Sequence, residues 1–261
     1  MAAFALLAGI SLTSCLKSEN DNTRTGGGIV KVNNLYGTPV FTTLDGKTIT
    51  PSAVSLAAAK AKGFDVFKYD GQVAQLMYTW DSSTLQINET TREIKGVTLQ
   101  QFYPMNSRVE LVAKDGAAND SISDTPILSL RKETSGTKYE PYFWGNTLIL
   151  PLEYYISNHL HNFTLECHMD KQATDGTLAL VLEHSRAKDQ TGGSNTSWSL
   201  ASYGSLYVYF RAFDLTDIIA AVMGGTVPTR VTIEYKEGPG TDVKSAETKT
   251  YTLVYKDASK K

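Results

Sequence analysis

The chain has 261 residues, with 25 Lys and Arg against 27 Asp and Glu, for a formal net charge of −2. Balanced charge with no Lys/Arg-rich segment lacks the electrostatic footprint of a nucleic-acid binder, so no nucleic-acid partner is expected. Fourteen tyrosines and frequent threonine favour strands, and the length is sufficient for two modest domains.

In chain order, residues 1–14, "MAAFALLAGISLTS", are apolar and end in small residues. The run is shorter than the roughly 20 apolar residues of a membrane-spanning helix. A short apolar run closing on small residues has the form of a secretory signal peptide. Leu12-Thr13-Ser14-Cys15 resembles the lipobox of bacterial lipoproteins. That resemblance implies cleavage before Cys15 and lipidation, diacylglycerol and palmitate, at its thiol, the only nucleophile there able to take the lipid. Cys167 is then left without a partner, and no intramolecular disulfide is expected. The polar stretch over 15–27 reads as a tether. Within it, Ser18-Glu19-Asn20-Asp21 resembles the short acidic signals that send Bacteroidota lipoproteins to the cell surface. The expected location is the outer membrane, lipid-anchored, facing the periplasm or the cell surface.

Folded structure is expected from residue 28. "IVKVNNLYGTPVFTTLDGKTIT" offers strands separated by turns at Tyr36-Gly37-Thr38 and Asp45-Gly46. "TPSAVSLAAAKAKG" predicts a helix capped by Thr50, with Pro51 at its first position and Gly63 as its stop. Val54, Ala57, Ala58 and Ala61 fall on one face of that helix. "DGQVAQLMYTWD" and "REIKGVTLQQFYPM" predict two further strands. This order is that of a small OB-like barrel over 28–107 with one short helix.

The small polar segment 114–125 reads as an inter-domain loop. After it come strands in "NTLILPLEYYI", "NFTLECHM" and "GTLALVLEHS", the last two joined at Asp175-Gly176. The Gly/Ser/Asn-rich "DQTGGSNTS" reads as a loop before the strand "SLYVYFRAF". Asp214 is placed to cap a second short helix carrying Leu215, Ile218, Ile219 and Val222 and ending at Gly224. "RVTIEYKEG" and "TKTYTLVYK" form a closing pair. The fold class is therefore mostly β, with an antiparallel β-sandwich over 108–256 after the barrel.

The segments "DGQVAQLMYTW", "YFWGNTLIL", "LVLEHSRAKD" and "FDLTDI", with the lipobox, make the chain resemble the NigD-like lipoproteins of Bacteroidales. The resemblance implies an OB-like domain followed by a β-sandwich. It also implies a bacteriocin-immunity or envelope-associated role. It carries over no catalytic residue and no cofactor, and no enzyme is expected.

The residues themselves agree. No G-x-S-x-G and no phosphate loop is present. His159-x-His161 would put two imidazoles on one strand face, but no further ligand or general base stands at hydrolytic-zinc spacing, so no metal is expected. Alternation sets His168 on the face opposite His161, and His184 reads as packing or hydrogen-bonding. Cys167 alternates with Phe163, Leu165 and Met169 and reads as core. Tyr139, Tyr142, Phe143 and Trp144 in "KYEPYFWGN" are the candidate binding residues, set against the alternative that Phe143 and Trp144 enter the core. Their ligand would be a protein, or a glycan if the chain is a surface glycan-binding lipoprotein of a polysaccharide-uptake system. Asp120-Ser121-Ile122 resembles the Bacteroides-type O-glycosylation pattern, which makes Ser121 a candidate acceptor.

Overall fold

Valine alternation in the first strand, β1 (Thr23–Leu35), buries Val30 and Val32 on one face and begins a curved sheet. The computed structural model describes residues 22–259 except 36, 89, 114–122, 124, 135–136, 157–160, 187–198, 201–208 and 240–242. The chain divides into two units, one ending at Asn106 and one beginning at Ser107.

In the first unit, β1 is followed by β2 (Thr38–Thr43), β3 (Thr48–Pro51), α1 (Ala53–Ala61), β4 (Val73–Asp81) and β5 (Glu93–Pro104). The Asp45-Gly46 turn between β2 and β3 is held by Thr43, whose Oγ1 accepts the Lys47 N–H at 2.9 Å. The pairing order is β1-β2-β3-β5-β4 and the ring is closed by β4 on β1. β3 runs parallel to β5, and the helix lies between β3 and β4 in sequence. This is an OB-type barrel. Its interior holds Val32, Phe41, Leu76, Val97 and Phe102, with the Phe41 and Phe102 rings 5.9 Å apart.

Two expectations are corrected here. Residues 23–27, read as part of the tether, are paired strand: Gly26 stands opposite Tyr78 and Gly27 opposite Met77. A Cβ on Gly26 would lie 2.7 Å from the Tyr78 ring, and one on Gly27 would lie 2.8 Å from the Leu76 carbonyl oxygen. The glycines that made the segment look like a linker are what allow β1 to approach β4 so closely. The helix also starts later than expected. Thr50 and Pro51 belong to β3, and Ser52 is the N-cap, its Oγ accepting the Ser55 N–H at 3.2 Å. Ser55 is the helix residue that is buried, and its Oγ accepts the Leu99 N–H of β5 at 2.7 Å.

The second unit comprises β6 (Arg108–Val112), β7 (Lys132–Thr134), β8 (Thr137–Tyr139), β9 (Tyr142–Trp144), β10 (Thr147–Leu152), β11 (Tyr155–Ile156), β12 (His161–His168), β13 (Thr177–Arg186), β14 (Ser199–Leu200), β15 (Tyr209–Asp214), α2 (Thr216–Met223), β16 (Arg230–Glu237) and β17 (Glu247–Val254). A five-stranded sheet, β17-β16-β13-β12-β6, shares one core with a three-stranded sheet, β15-β10-β9. Leu148, Leu150 and Phe213 from the smaller sheet meet Leu165, Leu180 and Ile233 from the larger. β10 is buried at all six positions, which is why it reads as a continuous apolar run and not as an alternation.

The sandwich is mixed rather than wholly antiparallel: β6 pairs with β12, and β13 with β16, in parallel. In each case the intervening chain contributes strands outside the larger sheet before returning beside the earlier strand in the same direction. Alternation within a strand does not encode that choice. Asp214, expected as the cap of α2, closes β15 instead: Leu215 takes the N-cap position without a side-chain bond, the Asp214 carboxylate accepts the Thr216 N–H at 3.0 Å from one residue earlier, and the helix ends at Gly224 in the left-handed region.

The segment read as an inter-domain loop falls inside the second unit, because β6 precedes it there. Its described end is no exposed linker. Ser123 and Thr125 are buried, and the Ser123 Oγ accepts the His184 N–H at 2.9 Å while its own N–H donates to Glu183. Beyond it, Ile127 bridges in parallel to Glu237, extending the fold along β16.

Candidate functional site

The aromatic stretch is built by the short strand β9, which pairs with β10 so that Phe143 stands opposite Leu148 and Trp144 opposite Thr147. Phe143 is fully buried, with its ring 4.7 Å from that of Tyr255. Trp144 retains 6 % exposure and Tyr139 9 %, the latter edge-on to Phe210 at 5.8 Å. Tyr142 alone is half-buried, and burial of its phenol raises its pKa above the ordinary tyrosine value. Three of the four candidate binding rings are therefore core: Phe143 and Trp144, as the alternative reading has it, and Tyr139 as well. A ring buried on both faces has none left to stack on a sugar or partner. The apolar face of a strand and a ligand platform carry the same residues, and packing decides between them.

The histidines sort by sheet face. His161 and His184 point into the core, and His161 Nδ1 lies 2.8 Å from His184 Nε2. Tyr154 packs 5.1 Å from one ring and 5.2 Å from the other, and Phe163 stacks on His184 at 4.3 Å. The register Phe163↔His184 brings them together, the two strands being joined through residues 169–176. His168 lies on the opposite sheet face, where its Nε2 is 2.9 Å from Glu166. Sequence parity separates His161 from His168, but the contact between His161 and His184 goes unread there. A two-residue turn at Asp175-Gly176 would instead set His184 opposite Cys167, so the observed register is not legible from the turn residues. Nitrogens engaged with one another inside an aromatic box serve packing and orientation. Cys167, in the same core, is fully buried, and burial pushes its thiol up to about 11. No group of three or more His, Cys, Asp or Glu able to hold a metal occurs among the described residues.

Cys15, His159 and Ser121 lie outside the described residues. A candidate lipoprotein from Bacteroides fragilis is 20 % identical, matching 89 % of this chain and 99 % of that one with a TM-score of 0.63. The two share one fold. A protein of unknown function from Bacteroides vulgatus matches 89 % of this chain and 91 % of its own at 14 % identity and a TM-score of 0.52. The similar structures also include a NigD-like immunity protein from Bacteroides caccae, at 13 % identity over 88 % of this chain and 96 % of that one, with a TM-score of 0.48. No protein-family profile and no curated protein matches the chain.

Proposed function

We propose that this is a cell-envelope lipoprotein, anchored in the outer membrane through Cys15, that recognises a partner protein without catalysis. Its NigD-like resemblance gives the role a direction: bacteriocin immunity or an envelope-associated task. The observation that carries the reading is Leu12-Thr13-Ser14-Cys15, closing an apolar run and followed at once by polar residues. A fold shared with a candidate lipoprotein from Bacteroides fragilis supports it. Ser121 is proposed as an O-glycan acceptor on the same resemblance that singled it out. The glycan-binding alternative is the weaker reading, since Tyr139, Phe143 and Trp144 are buried.

Stable anchoring by acyl chains takes more than one of them, at about 0.8 kcal/mol per buried CH₂. In fractionated cells of a Bacteroidota host the wild-type chain is expected with the outer membrane, and Cys15→Ala is expected to be soluble or uncleaved. A variant that fractionates like the wild type overturns the anchor. On a glycan array the protein is expected to be blank; a specific hit restores the alternative.

A further inference from the structure

Helix α1 carries its apolar stripe on the outside. Ser55, Leu56 and Ala59 face the barrel, whereas Val54, Ala57, Ala58 and Ala61 are exposed, Val54 to 81 %. The chain then leaves the helix through two more exposed apolar residues, Phe64 at 46 % and Phe67 at 43 %. At 3.6 residues per turn, Lys60 and Lys62 project roughly 100° to either side of the stripe centred on Val54 and Ala61. Lys68 follows beside Phe67, and all three lysines are exposed. Of the two acids in this stretch, Asp65 is half-buried and Asp70 accepts the Asn34 N–H at 2.7 Å.

An apolar ridge with an ammonium on each flank matches the cross-section of a bilayer surface. Apolar side chains enter the boundary of headgroups and acyl chains, while lysine stems lie along it and their charges meet lipid phosphates. We propose that this face of α1, continued by Phe64 and Phe67, docks on an anionic lipid bilayer. The proposal rests on the reading of the chain as membrane-tethered. Seven residues lie between Cys15 and the start of β1, eight Cα steps with a reach of about 27 Å when extended. The β4 segment from Asp81, opposite Thr23, to Val73, next to the turn that follows Phe67, is nine residues long, likewise eight steps, and spans about the same distance. A lipid on Cys15 and the ridge can therefore meet one bilayer.

The test uses the full chain carrying Cys15→Ser, so that no acyl chain contributes, floated with vesicles of phosphatidylcholine alone or with phosphatidylglycerol added. Binding is expected only with phosphatidylglycerol present. Each lysine near an anionic surface contributes about fivefold, so adding Lys60→Gln and Lys62→Gln is expected to lower partitioning by about 25-fold. Phe64→Ser with Phe67→Ser is expected to lower it about tenfold. The melting curve of the lysine variant should match the parent, and that of the phenylalanine variant, whose rings are 46 % and 43 % exposed, is expected lower but still well above the flotation temperature. Equal partitioning of all three chains, including binding through residues 1–14, overturns the proposal. So does self-association abolished by the phenylalanine changes without vesicle binding, which would make a second copy the occupant. The anchor itself is read separately by the Cys15→Ala fractionation, so one can fail while the other stands.

Discussion

Trp144 and Cys167 show how burial sets the role of a side chain whose chemistry would allow another. Truncating a large aromatic inside a packed core leaves a cavity, so Trp144→Ala is expected to destabilise the protein by about 3–5 kcal/mol in a denaturant titration. Tyr142→Ala is expected to cost clearly less, because that ring is only half-buried. An unchanged midpoint for Trp144→Ala would return the stretch to consideration as a ligand platform. At Cys167, a fully buried thiol raised to about 11 is almost wholly protonated at pH 8, while an unfolded cysteine titrates near 8.5. In a Cys15→Ser background Cys167 is the single thiol. A disulfide reagent at pH 8 is expected to leave the native protein unlabelled over hours and to label it promptly in denaturant. Rapid labelling of the native chain would contradict the core assignment.

At the scale of elements, β1 and α1 each depend on small residues used in opposite ways. In β1, glycine removes a Cβ that would collide with a neighbouring strand. Gly27→Ala would press a methyl against the Leu76 carbonyl oxygen, which is backbone and cannot rotate away. Such overpacking is expected to cost about 1–3 kcal/mol, seen as a lowered melting temperature. Gly37→Ala is the useful contrast: no atom lies within reach of the added Cβ, and only its positive φ resists. Equal, negligible effects at Gly27 would mean that the first residues of β1 do not pair with β4. In α1, by contrast, Ala57, Ala58 and Ala61 face outward and Ser55 faces in, because a buried hydroxyl there satisfies the Leu99 amide. Amphipathic spacing identifies the helix and its apolar face, but not what that face meets.

Across the whole molecule, local chemistry settled most of the element list. Turns at Gly37, Asp45-Gly46 and Asp175-Gly176, period-two alternation around Cys167, and an Asp-led, Gly-terminated helix at 216–223 all stand where residue type requires them. The order strands, helix, strands was enough to anticipate the OB barrel, since few closed arrangements accommodate it. The anchor proposed at Cys15 rests on residue type alone, without a fold. Tertiary structure alone decided the rest. Whether β12 and β13 take parallel or antiparallel neighbours depends on where distant segments return, and no strand's own pattern records it. The burial of Tyr139, the meeting of His161 with His184, and the outward turn of Val54 are likewise set by the partner surface. A side chain's periodicity fixes the direction in which it points, and only the packed neighbour determines whether protein or solvent lies there.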